Sequence, residues 1–100
     1  MSELEQLSEK ILQFRDERNW QQFHNPKDLA VSLSLEASRL LELFQWKSSD
    51  EAVEKNLDKM KDELADVMMY AILFANETGI NIVEAIERKI EINNERYHAC

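Results

Sequence analysis

Apolar positions recur along this chain at helical rather than strand spacing. Near the start, Leu4, Leu7, Ile11 and Phe14 follow one another at intervals of 3, 4 and 3 residues. That interval gathers side chains into one stripe of an α-helix, and it predicts a helix over about Glu3 to Arg18. The polar and aromatic stretch from Asn19 to His24 reads as a loop. Asn25-Pro26 has the form of a helix start, an asparagine cap followed by proline in the first turn. The helix it opens is predicted to run to about Trp46. Ser48, Ser49 and Asp50 supply the next start. Beyond them Val53, Leu57, Met60, Leu64, Val67, Ala71 and Phe74 alternate at 4 and 3 residues. This predicts a third helix from about Asp50 to Asn76, with the seam of a bundle or coiled coil. Gly79 is placed to end it. Asn81, with Glu84 three residues on, is placed to cap a fourth helix over about Ile82 to Tyr97.

Composition sharpens this picture. A single Gly and a single Pro in 100 residues leave little material for tight turns. The expected fold is all-α, a four-helix bundle forming one domain over residues 1–100, with no linker or repeat to divide it. A chain of this length has a modest core, so assembly through helix packing into a dimer or tetramer is expected. The net charge of −8 argues against nucleic acid or an anionic membrane as partner. No apolar stretch approaches the ~20 residues of a membrane span. Cys100 is the only cysteine, so no disulfide framework is expected. The acidic N-terminus lacks a signal-type apolar run. Together these point to the cytoplasm.

The candidate chemistry lies in acids set among apolar residues. Glu63 and Asp66 are three residues apart and share one helical face. Glu36, on the preceding helix, is flanked by Leu33, Leu35, Ala37 and Leu40. Acids in such surroundings are costly unless paired or bound to a cation. Carboxylates clustered without other ligand types suit Mg²⁺, with Mn²⁺ as a substitute. The plainer alternative is a solvated acidic face or an ion pair made by Arg39, which sits three residues after Glu36. Glu42 lies six residues after Glu36, about 120° around the helix, and is no obvious addition to the cluster. On the fourth helix Lys89, Asn93 and Arg96 share a face. They suit phosphate oxygens, or else are ordinary surface groups paired with Glu91 or Glu95. Trp20 and Trp46 are either apolar filler or a stacking wall for a nucleobase. His24 reads as a hydrogen-bonding loop residue.

The motifs Trp20-Gln-Gln-Phe23-His24-Asn-Pro26, Glu36 with Glu42-Leu-Phe44-Gln45-Trp46, Glu63-Leu-Ala-Asp66 with Tyr70, and Lys89, Asn93, Arg96-Tyr97 resemble one family. It is that of the all-α nucleoside triphosphate pyrophosphohydrolases, the MazG-like family, and within it the dCTP pyrophosphatase branch. The resemblance spans Leu4 to Tyr97. It implies a Mg²⁺-dependent enzyme that hydrolyses a (deoxy)nucleoside triphosphate to monophosphate and pyrophosphate, removing noncanonical or surplus nucleotides. It implies catalytic and metal-binding roles for Glu36, Glu63 and Asp66. The family's fourth acid is replaced here by Arg39, which is expected to ion-pair with the cluster and to weaken metal binding and activity. Trp20, His24, Trp46 and Tyr70 are implied at the base or pocket wall, and Lys89, Asn93, Arg96 and Tyr97 at the phosphates. Ile11 stands where the dCTP branch has a histidine, so a strict dCTP preference is not implied. Because of Arg39, a non-catalytic nucleotide-binding or helical interaction module remains the alternative.

Overall fold

Local capping chemistry sets most of the helix boundaries in the structure, a computed structural model that describes residues 2–96. Helix α1 spans Glu3–Glu17 and begins at Ser2, whose hydroxyl accepts from the Glu5 amide at 3.1 Å. A short 3-10 turn, Trp20–Phe23, occupies the stretch expected to be loop, entered through Asn19 in the left-handed region. Helix α2, Pro26–Glu42, starts as the sequence predicts: Asn25 Oδ1 accepts from the Asp28 amide at 2.9 Å and Pro26 takes the first turn. Helix α3, Ser49–Thr78, is capped by Ser48 and ends at Gly79, whose φ of 73° lies where a side chain is disfavoured. The Gly79 and Ile80 amides return to the Ala75 carbonyl and close the helix. Helix α4, Ile82–Arg96, begins with the Glu84 amide donating to Asn81 Oδ1. No strand occurs among the described residues.

Two features depart from the periodicity. Helix α2 stops at Glu42, four residues short of Trp46; the amides of Leu43, Phe44 and Gln45 bond back to carbonyls three residues earlier, and Trp46 turns to φ 63°. Helix α3 is kinked at Asn56, where φ and ψ are −119° and 17°. One contact links the two. Asn56 Nδ2 donates to the Leu43 carbonyl at 3.0 Å, taking up an acceptor that the end of α2 leaves free.

The α2–α3 pair is the most extensive packing in the chain, and α1 leans against α3 and the 3-10 turn. Leu29 from α2 and Ala52, Met60, Ile72, Leu73 and Ala75 from α3 are buried. The 4-3 seam predicted on α3 is only partly covered: Met60 is buried, while Val53, Leu57 and Leu64 are exposed. The other buried residues of α3, Ala52, Ile72, Leu73 and Ala75, lie off that seam. Among the described residues α4 has no extensive packing partner, and its Ile86 and Ile90 are half exposed.

Candidate functional site: three carboxylates and an aromatic cavity

The Asn56–Leu43 bond also sets the register of the acids. Seven residues back along α2 from Leu43 lies Glu36, and seven forward along α3 from Asn56 lies Glu63. Seven residues are about two helical turns, so both acids return to the face on which the helices meet. One carboxylate oxygen from each of Glu36, Glu63 and Asp66 lies within 4.8 Å of the others. Glu36 is only 9% exposed. Its Oε2 and the Glu63 Oε2 are buried and have no hydrogen-bond donor. Two orphaned carboxylate oxygens facing a third acid are unfavourable without a cation or a proton. The Glu63 carboxyl is accordingly held above its usual pKa. The first cause is a hydrogen bond shared with Glu36 when protonated, then burial and the Glu36 charge; Arg39 opposes the rise and Asp66 adds to it. The donor set is hard, oxygen-only and partly desolvated, which fits Mg²⁺ or Mn²⁺.

Arg39 lies at the rim. Its Nη1 donates to Glu36 Oε1 at 2.9 Å, while its side chain stays 60% exposed. Glu42 is exposed and takes no part in the cluster.

Asp66 also borders a cavity of about 240 Å³ lined by Ile11, Phe14, Arg15, Trp20, His24, Met69, Tyr70 and Leu73. Trp20, His24 and Tyr70, all singled out from sequence, thus meet in one place next to the acids. Trp20 packs edge-on against Phe14, with ring centroids 5.5 Å apart, and Arg18 lies 3.6 Å over the Phe14 ring. The His24 Nδ1 is buried and unpartnered. Burial lowers the His24 pKa, the Arg15 charge lowers it further, and Glu77 opposes both. His24 is therefore a neutral imidazole at neutral pH, able to donate and to accept.

The other expected residues are not gathered here within one chain. Trp46 is 92% exposed and does not line the cavity. Lys89, Asn93 and Arg96 lie on the exposed part of α4 and are also absent from the lining. Tyr97 falls outside the described residues. Three lining residues, Arg15, Met69 and Leu73, were not singled out from sequence, and Arg15 is the charged one. The Arg15 side chain is 12% exposed, 2.8 Å from Asp16 and 3.9 Å from Glu77. Its spacing of four from Ile11 is the only signal that could have placed it on the cavity face, and a charged residue at that spacing ordinarily reads as solvated.

The model of the MazG-like family matches residues 31–99. Mouse (Mus musculus) dCTP pyrophosphatase 1 is 34% identical over 99 residues, covering 94% of this chain and 58% of the mouse protein. The human (Homo sapiens) dCTP pyrophosphatase 1 is 34% identical over 101 residues, covering 96% of this chain and 59% of the human protein. The chain thus spans a little under three-fifths of the length of these curated relatives. The crystal structure of a pyrophosphatase from Archaeoglobus fulgidus is 40% identical and matches with a TM-score of 0.92, covering 99% of this chain and 95% of that one. A family match over more than half of the chain, together with an archaeal relative that agrees in sequence and fold along nearly its whole length, means that the chain belongs to the MazG-like family.

Proposed function

We propose that residues 1–100 form one nucleotide pyrophosphohydrolase domain, acting on a (deoxy)nucleoside triphosphate, with dCTP the first candidate. The observation that carries this is Asp66: it belongs at once to the three-carboxylate cluster and to the lining of the aromatic cavity. A cation site and a flat-group site thus adjoin, as a nucleotide's phosphates and base require. The names of the mouse and human relatives and of the archaeal neighbour support the same reaction class.

Glu36, Glu63 and Asp66 would hold the cation, Mg²⁺ in the first instance and Mn²⁺ as a substitute. When bound, it offsets phosphate charge and lowers the pKa of water. The reaction adds a water oxygen to the α-phosphorus and breaks the bond to the bridging oxygen. Pyrophosphate leaves with the bonding pair, and the water's proton passes to a carboxylate of the cluster. Trp20 and Tyr70 supply aromatic faces for the base, and neutral His24 supplies a hydrogen bond. The cavity's apolar lining excludes water from that part of the substrate.

Trp46, Lys89, Asn93, Arg96 and Tyr97 complete the site in this account only when chains assemble into a homodimer or tetramer, so that one chain's α4 and Trp46 approach a neighbour's acids. Net charge and the lone cysteine support a cytoplasmic setting without nucleic-acid or membrane partners. Among the described residues, no helix is long and apolar enough to cross a membrane.

A second reading, a non-catalytic nucleotide-binding or helical interaction module, draws on the Arg39–Glu36 pair, in which a guanidinium takes a place suited to a metal. Pyrophosphate release from a panel of deoxynucleoside triphosphates, with and without Mg²⁺, separates the two. The hydrolase reading expects Mg²⁺-dependent release that rises in Arg39→Glu. Nucleotide binding without release in either form would favour the module.

A further inference from the structure

The three acids and Arg39 together carry a definite charge. Three ionised carboxylates within 4.8 Å contribute −3, and the guanidinium 2.9 Å from Glu36 contributes +1. One divalent cation brings that sum of −2 to neutrality. A second would leave the cluster positive and would sit beside the guanidinium.

Ligand supply points the same way. The two oxygens of Glu36 are divided: Oε1 accepts from Arg39 Nη1, while Oε2 is buried and unpartnered. The Glu63 Oε2 is likewise buried and unpartnered. With Asp66, these give one cation a set of carboxylate oxygens, the remaining positions of an octahedron falling to water or phosphate. The other Glu36 oxygen is engaged by Arg39 and so is withdrawn from a second ion. The guanidinium has five donors, and the Arg39 side chain is 60% exposed. It is therefore anchored at Glu36 and open towards solvent, where its planar fork suits phosphate oxygens.

We infer that this site takes a single divalent cation, held by Glu36, Glu63 and Asp66, and that the Arg39 guanidinium is the second positive group presented to a polyphosphate. This rests on the hydrolase reading and adds a stoichiometry to it. Arg39 is then a substrate-positioning residue as well as a departure from a four-acid pattern. It substitutes a fixed charge for an exchangeable one.

The test is Mn²⁺ titration of the full chain, with free Mn²⁺ followed by electron paramagnetic resonance. One Mn²⁺ per chain is expected in the parent, one in Arg39→Gln and two in Arg39→Glu. With saturating Mn²⁺, inorganic pyrophosphate should bind about 10-fold more weakly to Arg39→Gln, the effect of losing one charge-assisted hydrogen bond. Arg39→Lys should recover part of that loss. Helical circular dichroism checks that the variants fold. Two Mn²⁺ per chain in an active parent would overturn this inference and leave the hydrolase reading standing. No Mn²⁺ in the parent but binding in Arg39→Glu would overturn it too, making Arg39 a plug. No Mn²⁺ in any form would overturn both.

Discussion

A carboxyl group held above its usual pKa by a neighbouring carboxylate, as Glu63 is by Glu36, gives up its proton when a divalent cation binds. The sign is fixed by linkage. The native chain retains a proton on Glu63 in a pH window starting at the usual glutamate value of 4.5, where the unfolded chain has lost it. Stability without metal therefore declines as pH rises through that window. Metal stabilisation grows over the same window. Mg²⁺ should raise the melting temperature more at alkaline than at mildly acidic pH, by on the order of 10 °C at a hundredfold excess over Kd. Asp66→Asn should remove the shift and leave a folded helical protein. A shift that persists in both Asp66→Asn and Glu63→Gln would rule out the cluster as the metal site. Trp46 gives a different prediction. An L-residue at φ 63° bears a left-handed penalty of roughly 1–2 kcal/mol, and an indole 92% exposed has little packing within the chain to offset it. Trp46→Gly should keep or slightly raise the melting temperature while raising the KM for nucleotide. A melting temperature lowered by several degrees would show that the indole is a packing residue instead.

At the scale of elements, the α2–α3 pair is held in register by a bond that no local pattern carries. Leu43 and Phe44 continue the apolar spacing of Leu40 and Leu41 past Glu42, so α2 reads as longer than it is. What stops it is a chain reversal whose free carbonyl is taken by a side chain 13 residues away. The starts at Asn25-Pro26, Ser48 and Asn81 and the stop at Gly79 were legible because their chemistry is local. The pairing of Glu63 with Asp66 was legible for the same reason, being a matter of helical spacing. That Glu36 joins them rests on the register, and the burial of Arg15 on how α1 leans against α3; neither has a local sign. Asn56→Ala leaves the Leu43 carbonyl without its donor, a loss of about 1–2 kcal/mol, partly offset by alanine's better helix propensity. The expected net is a melting temperature lower by about 4–8 °C, with weaker Mn²⁺ binding because Glu36 and Glu63 lose alignment. A rise in melting temperature with unchanged metal binding would show that the kink does not set the register.

At the scale of the molecule, the single chain is more open than its length warrants. Its radius of gyration is 16.2 Å, against about 13 Å for a compact domain of 100 residues. It exposes 7946 Å², roughly 2,000 Å² more than a compact monomer of this mass. Leu41, Val53, Leu57, Leu64, Ile86 and Ile90 are among the large apolar residues left uncovered. An excess of that size matches a stable subunit interface. Assembly through these residues is the arrangement under which Lys89, Asn93, Arg96 and Trp46 would reach a neighbouring chain's acids. Light scattering should give at least a dimer, and Ile86→Glu with Ile90→Glu should shift it towards monomer and lower activity together. A parent mass near 11.8 kDa would contradict the assembled site.

Hydrolysis of a deoxynucleoside triphosphate in ¹⁸O-labelled water, with the label located by mass spectrometry, tests the central claim most directly. The account predicts Mg²⁺-dependent hydrolysis with ¹⁸O in the nucleoside monophosphate and none in the pyrophosphate, lost in Asp66→Asn. Label in the pyrophosphate, release of orthophosphate in its place, or no hydrolysis by either the parent or Arg39→Glu would contradict it.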